Sequence, residues 1–204
     1  MEKRIAQIIS AVFHPLLVPT YAFALLFSMP VYFSLVLTPQ ARLTILGLVF
    51  LTTGFFPAIF IYFMLKRKII SSIHLTAREE RTFPYMVTII FFYVTFYLLK
   101  KLEIPAIFYY FAAAATLLVV LTLMINVFWK ISSHMVSVGG VFGLLIGLSL
   151  FLRTYFSGMI ILLALLAGII GFARLKMNAH NPAQVYTGFF LGAVVTSILF
   201  IIQI

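Results

Sequence analysis

Three short polar segments interrupt an otherwise apolar chain: AREERTFPY from Ala77, KISSHM from Lys130 and RLKMNAHNPAQ from Arg174. Each stands at the start of an apolar run. In the first, Arg78 and Arg81 precede Pro84. In the second, Lys130, Ser132, Ser133 and His134 open the run. In the third, Arg174, Lys176 and His180 precede Pro182, and Gln184 follows it. Proline is favoured in the first turn of a helix, so the segments read as helix N-termini. Such ends offer free N–H groups and partial positive charge, the features that bind phosphate. Three of them together, with their arginines and lysines, would form an anion cradle, which requires the three helices to be neighbours.

The histidines are His14, His74, His134 and His180, and no pair of them has a metal-ligand spacing. No metal or other cofactor is therefore expected. His14, beside Pro15 in an apolar stretch, reads as a structural residue. The only carboxylates are Glu2, Glu79, Glu80 and Glu103, and the absence of aspartate excludes an aspartate-rich Mg²⁺ site. Without cysteine there is no disulfide or thiolate chemistry.

The elements that must hold these residues are set by composition. Of 204 residues, 64% are hydrophobic and 9% charged, against about a quarter charged in a soluble domain. Such a chain is solvated by lipid, and only helices satisfy their own backbone there. Seven apolar stretches are candidate spans: 9–29, 43–65, 84–99, 104–128, 133–152, 157–173 and 185–204. The first is interrupted by His14, Pro15 and Pro19. The expected fold is all-α, a polytopic membrane bundle of six to seven transmembrane helices forming one domain over residues 1–204. Gly139, Gly143 and Gly147, with Gly188 and Gly192, have the four-residue spacing that lets helix backbones approach closely.

Alternating the spans puts ten cations on the side with the polar segments and four on the other. That excess favours a cytosolic placement, but without Arg78, Arg81, Lys130, Arg174 and Lys176 the bias disappears. The net charge of +10 suits anionic lipid headgroups or an anionic substrate. Its scatter over short loops does not suit nucleic acid.

The three segments resemble the motifs of the type 2 phosphatidic acid phosphatase superfamily, which includes vanadium haloperoxidases. The family pattern is K-x6-R-P, P-S-G-H and S-R-x5-H-x3-D. Arg174 and His180 match the third motif, and Ser132 and His134 the second. In the first, Arg81 precedes Pro84 by three residues, and His74 stands where the lysine would be. The resemblance covers roughly residues 66–190 and implies a phosphatase-like core over about 66–200.

The resemblance implies metal-independent hydrolysis of a lipid phosphate, at a bacterial inner membrane. His180 would attack phosphorus and His134 protonate the leaving oxygen. Arg174, Arg81 and Arg78 would hold the phosphoryl oxygens, Ser132 and Ser133 would hydrogen-bond them, and Lys130 or Lys176 would replace the motif lysine. Where the family has an acid, this chain has Gln184, four residues after His180 and on the same helix face. Its amide oxygen can set the imidazole tautomer but cannot supply charge, a role open to Glu79 or Glu80. The implied partners are a phosphorylated lipid and the surrounding membrane lipids, and a homo-oligomer is allowed. Two other readings compete: an impaired relative that binds anionic lipid without turnover, and a small-anion transporter.

Overall fold

The computed structural model describes residues 2–72 and 78–203, and His74 lies outside them. Ten α-helices are described: α1 (Glu2–Val12), α2 (Val18–Ser28), α3 (Tyr32–Leu35), α4 (Pro39–Val49), α5 (Phe56–Lys66), α6 (Thr82–Lys101), α7 (Ala106–Phe128), α8 (Ser133–Leu152), α9 (Ser157–Lys176) and α10 (Pro182–Gln203). The protein is an all-α polytopic membrane protein. Six described helical stretches are long and apolar enough to cross a membrane: 39–66, 79–101, 106–128, 133–152, 157–176 and 182–202.

The candidate span 9–29 is not among these six. The helix stops at Val12, and α2 begins only at Val18. Pro15 removes a backbone donor and disfavours helical geometry at His14, so one apolar run becomes two short helices. The span expected over 43–65 is longer than its apolar stretch, because α4 and α5 are joined by a π-helical turn at Phe50–Phe55. Pro57 follows that turn and has no N–H to continue the regular ladder. Thr52 and Thr53 donate their hydroxyls to the carbonyls of Leu48 and Val49, at 2.8 and 2.9 Å.

The described chain falls into two compact units, Met1–Pro15 with Met124–Ile204, and Leu16–Leu123. Residues 66–200, the expected phosphatase-like core, are divided between them. The second unit is held by a phenylalanine cluster, in which Phe23 and Phe27 meet Phe108, and by a Thr95–Thr52 hydrogen bond of 2.8 Å. Arg42 staples its loop by donating to the carbonyls of Leu37, Phe27 and Ser34 at 3.1, 3.2 and 2.7 Å.

In the first unit α8 packs against α10 with backbone nearly touching backbone. A Cβ on Gly139 would meet the Phe189 carbonyl, one on Gly143 the Ala193 carbonyl, and one on Gly192 the Val136 carbonyl. This is the close approach expected from the glycine spacing. Ser197 adds a hydrogen bond of 3.0 Å from its hydroxyl to the Gly143 carbonyl. On the other side of α8, Met135 and Val138 pack with Ala167 and Ile170 of α9 and Val185 of α10, and Ile9 and Phe13 close this core.

Candidate functional site

The second and third polar segments meet in the first unit. Helix α9 ends at Lys176, and Asn178 takes the left-handed conformation with φ of 52°. Asparagine tolerates that region. The N–H of Ala179 donates to the Arg174 carbonyl at 3.1 Å and that of Asn178 to the Leu175 carbonyl at 2.9 Å. These bonds close the helix in the manner of a Schellman cap and reverse the chain.

Helix α10 then starts on a reciprocal cap. The Gln184 N–H donates to Asn181 Oδ1 at 2.9 Å, and the Asn181 N–H donates to Gln184 Oε1 at 3.3 Å. This is a capping box, with Pro182 in the first helical position. His180 Nδ1 lies 2.9 Å from the same Gln184 Oε1. The Asn181 backbone N–H can only donate, so the Gln184 atom facing it is the amide oxygen. That oxygen can only accept, so His180 Nδ1 carries a proton. In the neutral ring the lone pair is then on Nε2.

Ser132 stands just before α8 in an extended conformation, and its N–H donates to the Gln184 carbonyl at 3.4 Å. The two helix starts are thereby held side by side. Ser132 is fully buried, and its hydroxyl has no hydrogen-bond partner among the described residues. Two positions on, His134 Nε2 lies 3.0 Å from the Ser10 carbonyl of α1. A carbonyl only accepts, so Nε2–H donates, and Nδ1 is the nitrogen left to exchange a proton.

His14 completes the cluster. Its ring meets that of His134 edge-on, with centroids 5.8 Å apart. Arg174 lies close enough for its charge to act on both rings, and His180 close enough to act on His134. Burial, with the Arg174 charge second, pushes His14 down from the usual 6.5 to about 4. The ring is therefore neutral near pH 7. Among the described residues no group of three or more histidines and carboxylates is placed to hold a metal ion.

The remaining predicted residues are placed as follows. Ser133 is the first residue of α8 and Lys130 lies in the connection before it, both half-buried. Lys176 pairs with Glu2 at 2.5 Å, and that contact holds the Glu2 carboxyl below its usual range. Arg78 and Arg81 belong to the second unit. Arg78 is exposed and pairs with Glu79 at 2.9 Å, whereas Arg81 is buried. Glu80 accepts from the Ser71 N–H and hydroxyl, both at 3.0 Å. The two carboxylates considered as a source of charge for His180 thus have partners in their own unit.

Sequence reasoning did not assign three members of this cluster. Asn181 was readable, because N-P-A-Q has the spacing of a capping box. His14 and the Ser10 carbonyl carry no local signal, since only the fold of α1 onto α9 brings them to His134. The assembled group offers a histidine of fixed tautomer, a second histidine held through one nitrogen, a buried serine hydroxyl, an arginine and two helix N-termini. Compared with protein-family models, curated proteins and solved structures, the chain matches none.

Proposed function

We propose that the protein is a metal-independent lipid-phosphate phosphatase of a bacterial inner membrane, a divergent member of the type 2 phosphatidic acid phosphatase superfamily. The observation that carries this reading is the Gln184 amide oxygen, which receives both the Asn181 N–H and His180 Nδ1. It presents His180 Nε2 as a nucleophile. Nε2 would attack phosphorus, forming an N–P bond while the bond to the lipid oxygen breaks. With the negative charge of a bound phosphate beside it, His134 would carry a second proton on Nδ1 and deliver it to that oxygen, as the Ser10 carbonyl holds Nε2–H. Water would then attack the phosphohistidine, giving a proton to His134 and releasing inorganic phosphate.

Arg174, the buried Ser132 hydroxyl and the N-terminus of α8 would hold the phosphoryl oxygens, with Ser133 and Lys130 beside them. Arg81 and Arg78 are assigned to phosphate by motif resemblance alone. Lys176 is assigned instead to Glu2.

A second reading is favoured by the capping box. Gln184 is accounted for as the glutamine of that cap, with no catalytic duty, so the site would bind a lipid phosphate without turning it over. Phosphate release from a panel of lipid phosphates, in detergent with EDTA, separates the two. The phosphatase reading expects release by the wild type and none by His180→Ala. Binding of lipid phosphate by folded protein, with no release from any substrate, establishes the second reading instead.

A further inference from the structure

Helix α1 has three faces. Ala6 and Ser10 are buried against its own unit. Lys3, Gln7 and Arg4 lie on one exposed flank. Ile5, Ile8 and Val12 lie on the other and are 51%, 57% and 48% exposed. At 3.6 residues per turn the second flank continues the buried apolar arc, and the first flank stands opposite it.

The helix also crosses α9 at its end. Glu2 and Ser10, eight residues apart, meet the adjacent residues Lys176 and Met177. Eight residues of helix rise about 12 Å, so α1 lies across α9 and not along it. Helix α9 is long enough to span a membrane, so its last residues mark a membrane boundary. At 11 residues α1 is too short to cross a hydrocarbon core of about 30 Å.

We propose that α1 lies in the plane of that boundary, with Ile5, Ile8 and Val12 among the acyl chains and Lys3 and Arg4 on anionic headgroups. Glu2, the acidic residue of α1, is paired with Lys176, so it does not oppose an anionic surface. Arg4 adjoins Ile8 at the rim of the apolar flank, where headgroups begin and where a second copy of the chain would have to bury its charge. Short amphipathic helices with this arrangement bind the interface by apolar insertion and attraction to anionic lipid. The inference does not rest on the phosphatase reading, and its test involves no turnover.

The chain has no cysteine, so nitroxides on Ile8→Cys, Val12→Cys and Gln7→Cys report without background. Each labelled protein is placed in vesicles of equal parts phosphatidylglycerol and phosphatidylcholine. Labels at 8 and 12 should be relaxed more by oxygen than by a water-soluble nickel chelate, and the label at 7 the reverse. Lys3→Gln and Arg4→Gln should each weaken seating at the surface by roughly fivefold. Nickel access at 8 and 12 equal to that at 7 overturns the proposal. So does dipolar broadening between labels at 8, which would place a second copy there. Seating unchanged in pure phosphatidylcholine overturns the anionic-lipid assignment.

Discussion

At the scale of single residues, Gln184 holds two structures together. Its side-chain oxygen caps α10 through Asn181 and orients His180, while its backbone carbonyl receives Ser132. Glutamate serves a capping box as well as glutamine does. Gln184→Glu should therefore keep the unfolding temperature and add the charge that a phosphohistidine ring favours. On the phosphatase reading kcat rises by about tenfold or more. The acid-to-amide change in a serine-protease triad, about 10⁴-fold, is an upper guide. Gln184→Met removes the orienter and the Asn181 N–H half of the capping box, while the bond from the residue-184 N–H to Asn181 Oδ1 survives, so kcat should fall and the unfolding temperature drop slightly. The lost hydrogen bond accounts for about 1 kcal/mol. Calorimetry beside initial rates checks both variants, and an unchanged kcat in Gln184→Glu would mean that ring charge is not limiting. The link from Gln184 to His180 was legible as a four-residue spacing. The cap was also legible, since N-P-A-Q has the spacing of a capping box.

At the scale of elements, α8 and α10 carry His134 and His180 to the same end of their unit, and glycine sets their separation. Gly143→Leu must push against the Ala193 backbone, which cannot rotate aside. Overpacking of this kind destabilises by about 1–3 kcal/mol. Gly168→Leu on α9 meets nothing within 4 Å and should leave the unfolding temperature nearly unchanged. Equal losses in both variants, measured by thermal unfolding in detergent, would remove the seam as the cause. The glycine spacing was plain in the sequence, and so were the six long spans, because hydropathy and small residues act locally. The short α1 was not plain. Its last residues, Ile9 to Val12, are apolar enough to begin the span expected over 9–29, and what separates them from α2 is Pro15 together with the packing of Ile9 and Phe13 against the core of their unit.

At the scale of the molecule, three histidines far apart in the chain gather together, with Arg174 beside His14 and His134, and only tertiary packing accounts for it. His14 illustrates why the sequence could not show this, since nothing near it in the chain points to His134. The packing has a pH signature. The folded ring resists protonation until about 4, whereas the unfolded ring takes its proton near 6.5. The unfolded chain therefore binds more protons between these values, and stability falls as pH drops from about 6.5 to about 4. Burial sets the sign, with the Arg174 charge acting in the same direction. His14→Phe should flatten that part of the profile, which thermal unfolding from pH 7.5 to 4.5 would reveal as a smaller loss than in the wild type.

On the phosphatase reading, the α8–α10 seam also limits where a lipid could enter. A wall made of backbone against backbone has no side chain to swing aside, so a lipid headgroup cannot pass there. The α1 side of the unit is walled differently, by Ile9, Phe13 and the rings of His14 and His134. Side chains can change rotamer where backbone cannot. On that reading, a lipid arriving sideways would then enter on the side of the helix proposed to lie at the bilayer surface.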